Sequence, residues 1–200
     1  PQASEHFEDN AWNGMPKQND RIPGLAKRIG EIQGETYLKE YGWDAVRIIR
    51  PSNVYGPFDD FNPATAQVIP SLISRALSGE SPLNVWGDGS GAVPGDPPGE
   101  MDFRDLIGED LLEEDVAHWL LEALEKAPAC VPINLGSGIG FSIKEVADVV
   151  SRLQSPPTEV TWDISKPMGD PIRIMNMDRA KKYLDFKRIY SLEEGIRETA

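Results

Sequence analysis

A lysine on a helix takes part in proton chemistry when a hydroxyl sits one turn before it, because the ammonium charge stabilises the deprotonated oxygen. In the run "NDRIPGLAKRIGEIQGETYLKEYG", Lys27 fills the lysine place and the residue four positions earlier is Pro23. A proline side chain neither gives nor takes a proton. Tyr37, the nearest tyrosine in the helix, lies ten residues beyond Lys27, about 15 Å along a helix axis. It is out of reach.

The run "RPSNVYGPFDDFNPATAQVIPSLISRA" offers a second kind of chemistry. A loop leaving the carboxyl end of a strand is where α/β proteins bind ligands. Asn53 and Tyr55 supply an amide and a hydroxyl there, and the next helix presents free N–H groups near Gln67 and Val68. A ligand loop and a structural turn both fit these residues. The glycine run "NLGSGIGFSIKEVADVV" places Gly136 and Gly138 like the first glycines of a dinucleotide fingerprint. The third small position is Phe141 and no acid follows at the ribose place, so it reads as a strand-to-helix turn. His6 and His118 have no metal-ligand partners at useful spacing, and no metal site is expected.

These residues need elements to hold them. Asp20 is placed to cap a helix with Pro23 in its first turn and Leu25, Ile29, Ile32 and Thr36 along one face. A buried strand is expected over Ala45 to Ile49, followed by a loop through Pro51, Gly56 and Pro57. A helix with Ile69, Leu72, Ile73, Ala76 and Leu77 on its inner face stops at Gly79. Further strands are read in "LNVWG", "CVPINL" and "EVTWDI", and helices in "DLLEEDVAHWLLEALEKA", "SIKEVADVVSRL" and "SLEEGIRETA", the last two with capping boxes. The alternation argues for an α/β fold.

Composition narrows the partners. Twenty basic against 33 acidic residues give a net charge of −13 in 200 residues, which excludes nucleic acid and anionic membrane as main partners. Cys130 is the only cysteine, so no intrachain disulfide forms, and with no long apolar run the expected location is cytoplasmic. The stretch from Gly95 to Asp115 carries nine acidic residues and one basic residue, Arg104. It reads as a solvated acidic loop, the core of an insertion-like segment over 91–115.

The order "AKR…GE", "RPSNVYGP", "VIPSLI", "VWGDGS", "DVA", "INLGSG…SIKEVA", "SKPMGDPIR", "LEEGI" resembles the C-terminal part of an extended short-chain dehydrogenase/reductase. Within the NAD-dependent epimerase/dehydratase family it is most similar to nucleotide-sugar epimerases and reductases close to GDP-L-fucose synthases. The resemblance implies a remnant of a Rossmann-like parallel sheet over 1–57 and a smaller α/β substrate-binding domain over 58–200. It also implies that a glycine-loop half precedes these residues. NAD or NADP would be the cofactor, with Lys27, Pro51 and Asn53 beside it, and an NDP-hexose the substrate.

In that family a Tyr-x-x-x-Lys pair exchanges the proton, so Pro23 stands at the tyrosine place and Gln67 at the place of a catalytic histidine. Met101 stands where a diphosphate-gripping arginine is usual, with Arg104 as a stand-in. Asn53, Val68, Arg75, Trp86, Arg104 and Arg173 match nucleotide-sugar contacts. A strand left without its sheet neighbours would favour self-association. Three readings stay open: a nucleotide-sugar enzyme portion inactive alone, a non-catalytic relic or engineered sugar-nucleotide-binding domain, and an acidic interaction module.

Overall fold

The computed structural model describes residues 5–16, 18, 21–62, 64–87, 106–108, 110–165, 174–187 and 189–200. The expected cap at Asp20, most of the acidic stretch, Arg104 and Arg173 lie outside the described residues. The chain runs β1 (Glu5–His6), a 3-10 turn (Glu8–Trp12), α1 (Arg21–Tyr41), β2 (Ile48–Pro51), β3 (Asn53–Tyr55), α2 (Val68–Leu77) and β4 (Leu83–Trp86). It continues through β5 (Leu106–Gly108), β6 (Asp110–Leu112), α3 (Glu113–Lys126), β7 (Pro132–Leu135), β8 (Phe141–Ser142) and α4 (Ile143–Ser151). The last elements are β9 (Val160–Asp163), β10 (Ile174–Met175), α5 (Asp178–Tyr183) and α6 (Leu192–Thr199).

The α/β architecture holds, and the strands pair two by two. β1–β10, β2–β7, β3–β6 and β4–β9 are parallel, and β5–β8 is antiparallel. The strand expected over Ala45 to Ile49 sits further on, at Ile48–Pro51, and the expected loop contains a second strand at Asn53–Tyr55. Pairing partners move the boundary: Ile48 to Pro51 align with Pro132 to Leu135, and Asn53 to Tyr55 with Asp110 to Leu112. The acidic segment is likewise not all loop, since it contributes β5, β6 and the first turn of α3. Glu113, Glu114 and Asp115 lie in that first turn, where the helix dipole favours carboxylates.

Two apolar clusters form the interior. One gathers Tyr55, Ile69, Leu72, Ile73, Ala76, Leu83 and Val85 with Leu112, Val146, Val150 and Ile196. The other gathers Val116, Trp119, Ala123, Ile133, Leu135, Met177, Ala180 and Leu184. Both capping boxes form, at Ser142–Glu145 and Ser191–Glu194. α2 turns its inner face as expected except at Leu77, which is exposed beside the stop at Gly79 (φ +84°).

α1 departs most from its sequence reading. Ile29, Ile32 and Thr36 face solvent, and the face toward the body carries Gly24 on Pro16, Arg28, Glu31 and Gly34 on Val46. Arg28 donates to the Gly14 carbonyl at 2.7 Å, and Arg50 forms a two-pronged pair with Glu31 at 2.8 and 2.6 Å. The helix and the segment leading into β2 approach so closely here that a Cβ on Gly34 would sit 2.9 Å from Val46 Cγ1. Close approach and paired charge choose this face, not side-chain apolarity.

A charged lattice ties the first residues to the body. The buried Glu8 carboxylate accepts the Asn134 N–H at 3.0 Å, and Arg50 Nη1 donates to the Glu8 carbonyl at 2.6 Å. Arg179 lies 3.8 Å from Glu8 and grips Asp9 at 2.7 and 2.8 Å. A buried carboxylate is tolerated because each approach to it is paired.

Two motifs distant in sequence meet in the first cluster. A Cβ on Gly195 of α6 would lie 2.2 Å from Tyr55 Oη and 3.1 Å from its Cζ. Gly195→Ala is therefore expected to cost about 1–3 kcal/mol of stability. Tyr55→Phe in the same chain is expected to recover part of that loss, measured as a double-mutant cycle by urea denaturation.

Candidate functional site

Residues 48–55 do not form one strand. Pairing switches at Ser52, whose N–H still donates to the Leu135 carbonyl at 2.7 Å while Asn53 already aligns with Asp110. Beside this switch, α2 begins at Val68 with Gln67 at its N-cap in extended conformation and no side-chain cap bond. Pro70 occupies the third helical position, where its missing N–H costs nothing.

A cavity of about 300 Å³ opens between these two features, lined by Ser52, Asn53, Val54, Tyr55 and the Gln67–Pro70 turn. The structure thus brings Asn53, Gln67 and Val68 together at one cavity. Its volume is at the lower end for small-molecule sites. The Asn53 and Gln67 amides are exposed and make no hydrogen bond among the described residues, so both are available to a ligand. Ser52 was missed by sequence reasoning. Its Oγ is buried without a hydrogen-bond partner among the described residues. The only signal for it was its place between Pro51 and Asn53.

Other expected residues lie along or beyond this cavity. Pro51 closes β2 and is exposed. Val68 and Arg75 share one face of α2, two turns apart, and Arg75 reaches β4. Trp86 ends β4 on its outward side, 57% exposed. Arg75 is not an idle surface arginine: its Nε donates to Glu80 at 2.7 Å, and Nη2 donates to Glu80 and to the Asn84 carbonyl.

Pro23 and Lys27 both face solvent in the first two turns of α1, and no hydrogen bond among the described residues engages Lys27. Pro23 offers no proton, and the Gly136–Gly138 turn is occupied by Ser137 bonding Ile139 and by Met177, whose Cγ lies 3.5 Å from where a Cβ on Gly138 would sit. The described residues therefore do not fit a complete dinucleotide site. Among them no group of three His, Cys, Asp or Glu is placed to hold a metal ion, and no helix is long and apolar enough to cross a membrane.

The profile of the NAD dependent epimerase/dehydratase family matches residues 16–94. This stretch belongs to that family. It contains Lys27, the Arg50–Pro57 run, the cavity and β4, so the family match and the cavity fall on the same residues. The chain is 31% identical over 200 residues to a dTDP-4-dehydro-6-deoxy-D-allose reductase of Streptomyces bikiniensis, covering all of this chain and 55% of the relative. It is 31% identical over 199 residues to a GDP-L-fucose synthase of Escherichia coli (strain K12), covering 96% of this chain and 59% of the relative. The chain thus spans little more than half the length of these relatives. In fold it is similar to a GDP-6-OMe-4-keto-L-xylo-heptose reductase from Campylobacter jejuni (TM-score 0.72, 20% identity, 94% of this chain and 62% of that one).

The Arg75–Glu80 pair has an electrostatic consequence. The Arg75 guanidinium, by hydrogen bonding first and by charge besides, holds the Glu80 carboxyl below its ordinary 4.5, with the Asn84 N–H assisting against partial burial. A depressed carboxyl stabilises the fold above its unfolded value, and that contribution fades as pH falls through the folded value. NMR titration is expected to find Glu80 protonating below pH 4.5, and Arg75→Met to shift it back upward.

Proposed function

We propose that this chain is the substrate-binding portion of an NAD(P)-dependent nucleotide-sugar epimerase or reductase, with an NDP-hexose as ligand. The observation that carries the reading is the cavity joining Asn53, Gln67 and Val68, inside the residues that match the family. A hexose in this cavity would meet the Asn53 and Gln67 amides, the Ser52 hydroxyl and the free N–H groups of the first turn of α2. Val68 and Arg75 are seven residues apart, about 10 Å along the helix. That spacing suits a sugar at one end and a diphosphate at the other. Arg75 would serve the diphosphate together with Arg104 and Arg173, and Trp86 would lie toward the base. The two relatives are named for dTDP and GDP sugars, so the diphosphate and the sugar are the shared part.

In this reading Lys27 would hold the nicotinamide ribose, Pro51 and Asn53 would border it, and NAD or NADP would supply hydride exchange. Pro23 cannot supply the proton, and Gln67 cannot replace a histidine as acid. The chain alone is therefore proposed to bind and not to turn over, with residues 1–57 as the Rossmann-side portion and 58–200 as the substrate domain. A non-catalytic sugar-nucleotide binder is the second reading, and Pro23 is the residue that favours it. Calorimetric titration with GDP- and dTDP-hexoses is expected to show binding, weakened about fivefold to twentyfold by Asn53→Ala or Gln67→Ala. No heat at millimolar ligand sinks both readings.

We also propose that the chain self-associates. Ile22, Ile29 and Ile32 are 82%, 63% and 46% exposed on the outer side of α1. Among the described residues only β7 pairs with β2, which leaves its other edge open. Light scattering at high concentration is expected to give at least a dimer, and Ile29→Glu to reduce it. A monomer mass for the unaltered chain refutes this.

A further inference from the structure

The proposed diphosphate end of the site contains an acid that no ligand role explains. Glu80 follows α2 and is held from several directions. Its N–H donates to the Arg75 carbonyl at 3.1 Å, and its own carbonyl accepts Gln154 Nε2 at 3.2 Å and Thr158 Oγ1 at 3.3 Å. Its carboxylate accepts the Asn84 N–H at 3.0 Å and takes the side-on edge of the Arg75 guanidinium. The backbone around it is pinned, so the carboxylate stays beside Arg75 without any ligand.

Arginine binds phosphate best through two parallel N–H groups and an uncancelled charge. Here Nε and one Nη2 hydrogen go to Glu80, and the other Nη2 hydrogen goes to the Asn84 carbonyl. Only Nη1 is left without an acceptor among the described residues, and the positive charge is already matched. The two side chains are 27% and 34% exposed, so water and an incoming anion can reach the pair. An oxyanion arriving at Arg75 must share Nη1 alone or displace Glu80 from the paired edge.

We propose that Glu80 is a built-in competitor for the diphosphate at Arg75, a specificity-determining residue that sets how strongly this site takes an anionic ligand. The inference rests on the nucleotide-sugar reading above. Because the competition acts on the phosphate and not on the sugar, it is read most directly with a bare nucleoside diphosphate.

The test uses GDP as probe in calorimetry on the full 200-residue chain. Glu80→Gln keeps the side chain's shape and its acceptor for the Asn84 N–H while removing the charge. It is expected to tighten GDP binding about fivefold to tenfold, and the gain is expected to vanish when Arg75→Met is added. A Kd unchanged or weakened in a Glu80→Gln chain that unfolds cooperatively in urea overturns the inference and leaves the nucleotide-sugar reading standing. A gain that persists with Arg75→Met also overturns it, because the effect then belongs to the general field of an acidic protein. No GDP or sugar-nucleotide binding by any of the chains overturns both.

Discussion

The molecule turns on a change of partner inside one short run. Ile48 to Pro51 pair with β7, and one residue later Asn53 to Tyr55 pair with β6. A single strand cannot serve both neighbours along its whole length, because each parallel ladder needs its own row of N–H and C=O groups. Ser52 is the residue at the change, bonded by its N–H to the first ladder and buried by its hydroxyl at the cavity. The two apolar clusters lie to either side of this point, with Ile133 and Leu135 in one and Tyr55 and Leu112 in the other.

The cavity follows from that split. β3 and the first turn of α2 line the same cavity, and α2 is held by Ile69, Leu72, Ile73 and Ala76 in the first cluster. Each fully buried aliphatic side chain contributes about 1.5–3 kcal/mol, so the helix is fixed and its first turn is not free to close over the strand end. Uncapped N–H groups, two free amides and an unpaired hydroxyl are left facing one space. The Ser52 hydroxyl is the costly one to leave idle, because it is buried, while the Asn53 and Gln67 amides stay exposed to solvent. At the other end of α2 the logic reverses, since Arg75, Glu80 and Asn84 satisfy one another before any ligand arrives.

Charge organises the opposite flank. Glu8, Asp9, Arg50, Glu31 and Arg179 join the 3-10 turn, α1, β2 and α5 through pairs and backbone bonds. This replaces much of the apolar packing that α1 lacks, and leaves its isoleucines on the outside. A helix packed by glycine and ion pairs on one side and lined by isoleucine on the other has two usable faces.

Local chemistry made much of this protein legible from its residues alone. The capping serines of α4 and α6, the stop at Gly79 and the inner face of α2 follow from spacing and backbone preference, which act within a few residues. That Pro23 has no side-chain proton to exchange is equally a matter of residue type. The family resemblance, too, rested on local runs. What the tertiary structure decided are the properties set by partners far away in sequence. These are the break at Ser52 set by β6 and β7, the inward face of α1 set by Val46 and Arg50, and the commitment of Arg75 set by a glutamate held from the loop after α4. Hydrogen-bond ladders and buried charges are satisfied across the fold and not along the chain. Sequence therefore named Asn53, Gln67 and Arg75 as candidates, and only the packed structure showed the first two open to a ligand and the third already engaged.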